Sequence, residues 1–365
     1  MIEVLDTGLV YRNPAPHLRA VHAWHPSIVQ LDNGELVSTF DLAQAVEADD
    51  YRTYISRSTD GGATWSAPKP LFDDPVADTT HTVRTAKLRD GSLLAMGSRA
   101  YNDHPGQGRL NRANLGYTRT DVITLRSDDG GATWQGPRTI EPPLVGPEFE
   151  VCHHVVELND GRLLWPTATW RGWDGDAPNG MRAVAFVSHD GGETWPEYLD
   201  VMEDNAHHII HWEQGLAQLG DGRLVAVCWA YNESTGRTEP TPCTIARDGH
   251  TFAPAQRAGL RAQTAKLCAL GGDRLLCAYR RDDQPGLWAH VVTVTDDRWH
   301  NGEATALWQG AASGMAGKAA SSDELSDLKF GFPSMVVLDD GDLLLLFWCC
   351  EECIHNIRWI RMKVT

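Results

Sequence analysis

"STDGGATW" at residues 58–65 returns as "SDDGGATW" at 127–134 and as "SHDGGETW" at 188–195. The glycines admit the positive φ that a tight turn demands, and the aspartate and serine oxygens can bond the turn amides. The tryptophan supplies apolar bulk to bury between sheets. A phosphate-cradling loop would have to open a helix, and no helical periodicity follows any copy. One carboxylate per turn is also too few hard ligands for calcium. The octet reads as a structural staple.

A second repeat runs beside it. "DNGELV" (32–37), "RDGSLL" (89–94), "NDGRLL" (159–164), "GDGRLV" (220–225), "GGDRLL" (271–276) and "DDGDLL" (339–344) each set a turn glycine between apolar alternating runs. Asn-Gly and Asp-Gly in that setting are strong hairpin signals. Six such units over 365 residues give a period of about one sixth of the chain, in the range of solenoids and propellers. The all-β flanks select the propeller. The octet aspartates follow their hairpin glycines by 26, 38 and 29 residues. Similar offsets reach Asp248 and Asp297, which are expected to be decayed fourth and fifth copies. In the sixth unit the offset runs past Thr365, so "EVLDTGLVYR" near the N-terminus is expected to supply that blade's outer strand. Closure of this kind leaves no free sheet edge. The expectation is an all-β, six-bladed β-propeller forming a single domain over residues 1–365.

Composition narrows the partners. With 32 Lys and Arg against 49 Asp and Glu, the formal charge is −17, which disfavours nucleic acid or an anionic membrane. The eight cysteines are scattered, mostly in apolar runs, as reduced core thiols would be. "CCEECIH" (349–355) resembles a metal cluster, but adjacent cysteines on a strand face opposite ways and no second C-x-x-C completes the ligand set. The N-terminus lacks a basic segment followed by an apolar run, so no signal peptide is expected and the cytoplasm is the expected location.

If the innermost strand of each blade starts at the top, the Asp-Gly hairpins and the octet turns both lie at the bottom. Function then belongs to the other face. Inner-strand starts there carry His22, His25, His81, Arg84, Glu150, His153, His154, His211, Glu213 and Arg261. Loops between second and third strands add Asp49 and Asp50, the long stretch 98–119 (a lid or a substrate-length selector) and "WRGWDGD" (170–176). Arg99 and Arg280 both stand eight residues after their hairpin glycines, placed for bidentate binding of a carboxylate.

S-x-D-x-G-x-x-W is the Asp-box, and the chain resembles the sialidase (BNR-repeat) superfamily of six-bladed propellers. That resemblance implies a carbohydrate substrate held by three arginines, an aspartate acid/base in the first blade, and a tyrosine–glutamate nucleophile pair. Asp49 or Asp50 falls in the loop for the acid/base, and Glu213 resembles the glutamate of the pair. Arg261 or Arg280 matches the fifth-blade arginine. The pattern departs at "AWHPS", where Trp24 takes the arginine position of the R-I-P motif and His25 the next. No tyrosine opens the sixth inner strand, where Phe332 and Trp348 are the nearest aromatics.

Three functions are expected from these residues. The first is an exo-acting glycoside hydrolase on a terminal, acidic sugar, needing no cofactor. Asp50 or Asp49 would be the acid and Glu213, with His25 nearby, would assist attack. Arg84, Arg99, Arg280 and Arg261 would hold the acid group, and His81, His154 and Trp24 would make further contacts. The second is a lyase on uronate-containing glycans, in which the histidines act as general base or as a divalent-metal site and arginine or metal neutralises the carboxylate. The third is a non-catalytic propeller that binds a glycan or a protein.

Overall fold

The computed structural model describes residues 1–281, 283–310 and 329–365. Six sheets of four main antiparallel strands stand around one axis. Their innermost strands are His22–Gln30, Thr79–Lys87, Glu148–Phe149 continued by Val156–Glu157, Ile209–Gln218, Ala262–Gly271 and Phe330–Val337. In the sixth blade the N-terminal strand Ile2–Tyr11 is outermost and pairs with Ile354–Val364, from Ile2↔Val364 to Tyr11↔Ile357. Both chain ends therefore share one sheet, and the ring has no open seam.

The octets are turn staples. In the first, Asp60 Oδ1 accepts the Thr64 amide at 2.9 Å and the Ser58 hydroxyl at 2.8 Å, while Thr64 Oγ1 donates to Oδ2. Asp129 and Asp190 repeat the pattern with Thr133 and Thr194. Asp248 keeps a reduced form, accepting the amides of His250 and Thr251. Asp297 does not. It shares a tight hairpin with Asp296, φ 54° and 50°, and spends its carboxylate on Arg223 and Arg247. That hairpin joins its strands directly and leaves no room for a box.

The staples also tie the blades together. Arg57, Arg126 and Arg162 each donate to an octet glycine carbonyl of the next blade, at 2.8, 3.2 and 3.1 Å (Gly130, Gly191, Gly249). Threonine, serine and amide bonds hold the Asp60 and Asp129 carboxyls down to about 2. A depressed carboxylate stabilises the fold above its unfolded pKa near 3.9, and that contribution is lost as pH falls through the folded value. The Asp129→Asn variant should therefore show a weaker decline in thermal midpoint between about pH 4 and 2 than the parent chain. Equal slopes in pH-dependent melting would remove this role for the box.

Four inner strands break register at one equivalent place. His25, Glu213, Thr264 and Phe332 have φ of 49°, 45°, 49° and 54°, each at a β-bulge that turns the residue toward the axis. Three of them stand nine residues before a hairpin glycine (Gly34, Gly222, Gly341). Left-handed backbone at non-glycine residues costs roughly 1–3 kcal/mol each and is retained where surroundings or function demand it. The bulges ring the mouth of the axis on the face away from the octets.

Candidate functional site

The bulged residues line a cavity of about 190 Å³ at the head of the axis. His25, Glu213, Thr264 and Phe332 enter it from the bulges, Thr82 and Arg84 from the unbulged second inner strand, and Glu148 and Glu150 from the interrupted third. Arg280 reaches it from the second strand of blade 5. Trp170, Trp212 and Trp229 form its aromatic wall, with Trp170 and Trp212 stacked 5.0 Å apart.

Blade 1 contributes a polar cluster. Asp41 is fully buried behind the cavity wall and accepts from Thr53, Thr82 and Arg84 at 2.7, 2.7 and 3.0 Å. Burial alone would raise its carboxyl, but Arg84, His25 and Thr53 hold it below the ordinary range. His25 Nδ1 lies 2.6 Å from the Tyr51 hydroxyl and 3.6 Å from Asp41. Burial drives His25 down to about 4 and pushes the Tyr51 phenol well up. At neutral pH a neutral imidazole and a neutral phenol therefore share one hydrogen bond.

The loop between the second and third strands of blade 2 closes one side. It carries Arg109, Leu110 and Tyr117 into the cavity. Trp170 Nε1 donates to Leu115 O, the Tyr117 amide to Arg171 O, and the Asn111 and Asn114 amides to Trp173 O. His104 stacks on Trp173 with ring centroids 3.6 Å apart. Gly116 is the point of closest approach, because a Cβ there would stand 2.2 Å from Gly172 O. The Arg109 guanidinium lies 4.2 Å above the Tyr51 ring and 3.4 Å from Glu47.

Glu150 and Glu213 form the chemically distinctive pair. Glu150 Oε2 accepts the Glu213 backbone amide at 2.8 Å, and Glu213 Oε2 is buried without a hydrogen-bond partner. Burial raises both carboxyls. The Glu213 charge pushes Glu150 further up, whereas Lys266 and Arg280 pull Glu213 back. Lys266 sits beneath, its Nζ bonded to the Glu213 and Gln214 carbonyls at 3.0 Å each. Burial also lifts Glu148 to about 8, against a bond from Thr120.

Of the residues expected from sequence, His25, Glu213, Arg84 and Arg280 meet in this cavity. Asp49 and Asp50 do not: both are exposed, and Asp50 Oδ1 closes its own loop on the Gln44 amide at 3.1 Å. Glu47 and Tyr51 from that loop turn inward instead. Arg99 is buried in a two-point ion pair with Asp74 at 2.7 and 2.8 Å. His81 packs on Phe72 in an outer crevice, and Arg261 is exposed outside the cavity. Trp24 is core, stacked behind Tyr51. His154 faces a void of about 20 Å³ below the cavity floor. The expected histidine ring thus disperses, and among the described residues no three His, Cys, Asp or Glu side chains group as a metal site.

A closed six-bladed ring with Asp-boxes on one face and a carboxyl-rich cavity on the other defines a propeller of the sialidase-like superfamily. Within it, the chain belongs to the BNR repeat-like domain family, whose model matches residues 9–345. It is 23% identical over 258 residues to a sialidase of Bacteroides fragilis (strain YCH46), covering 60% of this chain and 45% of that protein. The chain thus spans less than half the length of that relative. A protein of unknown function from Dyadobacter fermentans DSM 18053 has the same fold over 100% of this chain and 99% of its own, with TM-score 0.77 and 21% identity. The α-L-arabinanase of Penicillium chrysogenum, solved with arabinobiose, superposes with TM-score 0.67 at 16% identity, over 99% and 98% of the two chains.

Proposed function

We propose that the protein is an exo-acting glycoside hydrolase that removes one terminal sugar from a glycan, with Glu150 and Glu213 as its reacting carboxyls. The observation that carries this reading is the pairing of those glutamates in a cavity closed on one side. Two carboxyls across a glycosidic bond are the usual requirement of this reaction, one protonated and one ionised. Lys266 acts on both carboxyls but Arg280 on Glu213 alone, and this separates the roles: Glu150 gives its proton to the leaving oxygen, while Glu213 ionises and assists attack at the anomeric carbon. A volume of about 190 Å³, below the roughly 300–1,000 Å³ of drug-sized ligand sites, suits a single ring. Relatives named sialidase and α-L-arabinanase support the glycan-cleaving class.

The Tyr51–His25 contact favours a second reading, a lyase in which that pair moves the proton beside a uronate carboxylate. Product analysis separates them. The protein is incubated with a panel of plant, bacterial and animal oligosaccharides and the products are followed by proton NMR. A released monosaccharide with a normal reducing end is the expected result. An unsaturated, ultraviolet-absorbing end group would replace hydrolysis by elimination. Saturable binding without any product would leave a glycan-binding propeller.

A further inference from the structure

The cavity holds three arginines, and the expectation from sequence is that such residues grip an acidic sugar. Their surroundings argue otherwise. The Arg84 Nη1 is committed to the buried Asp41 at 3.0 Å and also bonds the Val83 carbonyl. The Arg109 Nε faces Glu47 at 3.4 Å, with one Nη on the Val46 carbonyl. Arg280 donates Nε to Gln263 and Nη1 to the Phe330 carbonyl, and the Glu213 carboxyl lines the same cavity. Lys266, below the floor, is turned to two backbone carbonyls. Each cation near the cavity thus has a carboxylate neighbour or fixed acceptors before any substrate enters, while the Arg84 and Arg109 Nε groups stay buried without a hydrogen bond of their own.

The remaining lining tells against a second anion. Glu148, Glu150 and Glu213 all face the space an incoming ring would fill; burial favours the protonated form of the first two, and a substrate carboxylate meets the ionised Glu213 at short range in a dry site. The wall beside them is aromatic, with Trp170, Trp212 and Trp229 buried. Flat apolar faces of this kind suit the C–H side of a sugar ring, and carboxyls suit its hydroxyls.

We propose that the ring held in this cavity is an uncharged sugar, laid against the tryptophan wall with its hydroxyls on the glutamates, and not a uronate or a sialate. This rests on the cavity being the glycan site proposed above.

Matched probes test it. Methyl galactoside against galacturonate, methyl glucoside against glucuronate, and free N-acetylneuraminate are titrated into the full chain by calorimetry and saturation-transfer NMR at pH 7. At least one neutral member is expected to bind ten-fold or more tightly than its acidic counterpart. The Glu47→Gln variant, which frees Arg109, should shift that ratio several-fold toward the acid, with melting curves confirming that the variant is folded. Tighter binding of an acidic member by the parent chain would overturn the proposal, as would binding of none of the probes. Hydrolysis is scored separately on aryl glycosides. A neutral preference without turnover removes only the hydrolase reading, and cleavage of an acidic glycoside removes only this one.

Discussion

Replacing Glu213 by Gln, or Glu150 by Gln, is expected to lower kcat on the cognate glycan by about 10²–10⁴-fold, the usual contribution of one positioned acid or base. Folding should not suffer. Glutamine keeps the side-chain volume and, at position 150, an oxygen that can accept the Glu213 amide. Each change also removes a carboxyl that the native state buries at a cost. The sign follows from linkage. Burial holds both folded carboxyls above their unfolded values, so the stability tied to their protonated forms is complete below the unfolded pKa. It is lost as pH rises toward the folded value. The melting temperatures of Glu150→Gln and the parent should therefore coincide near pH 4, and the variant should gain on the parent as pH rises from about 4.5 to about 7. The rate profile carries the same signature: kcat/KM falls on the alkaline side as Glu150 loses its proton, and on the acid side as Glu213 gains one. If both variants retain activity within about ten-fold, the pair is not the reacting pair.

The fold was legible because its determinants are local. A turn glycine, an Asp-box and alternating apolar residues each state their own geometry within eight residues, and six repetitions leave few architectures open. Even the closing strand, found between Ile2 and Tyr11, followed from a blade that ran out of chain. The site was legible only where a residue's destination is set by its own strand. Glu213 and His25 belong to bulges that recur at a fixed distance from a hairpin glycine, so their inward direction is part of the repeat.

Destinations set by a neighbouring blade were hidden. Arg99 and Arg280 occupy the same ladder position, opposite His81 and Gln263 respectively. Arg99 turns to Asp74, in the connection from blade 1, and Arg280 to Gln263 and the Phe330 carbonyl. No single-strand pattern distinguishes them. In "DLAQAVEADDYRTY" the same holds: Asp50 serves the turn, while Glu47 meets Arg109, more than sixty residues further along the chain. The broken inner strand at 150–155 marks blade 3 as irregular, and that irregularity is where Glu150 departs from a rim charge.

Gly116→Ala should lower activity out of proportion to its effect on stability. The chain at Gly116 runs against Gly172 and Trp173 so closely that a Cβ would lie 2.2 Å from one carbonyl oxygen and 2.8 Å from the other. Both are backbone atoms, so no side chain can swing aside to relieve the contact. The blade-2 loop must lift from blade 3, which breaks or stretches the Asn114–Trp173 and Trp170–Leu115 bonds that hold it. The loop is the element that brings Arg109 over Tyr51 and Tyr117 to the tryptophan wall. A displacement of about 1 Å at positioning groups can cost on the order of 10²-fold in rate, and that loss in kcat/KM is the expected result. The propeller core lies elsewhere, so the thermal midpoint should fall far less than it would for a methyl at Gly97, where a Cβ would meet Thr82 O at 2.0 Å inside blade 2. Longer oligosaccharides are the sharper probe. With the loop lifted, the cavity opens on that side, and the ratio of internal to terminal cleavage should rise. Unchanged kcat/KM and an unchanged cleavage pattern would mean that the loop does not set the proposed preference for chain ends.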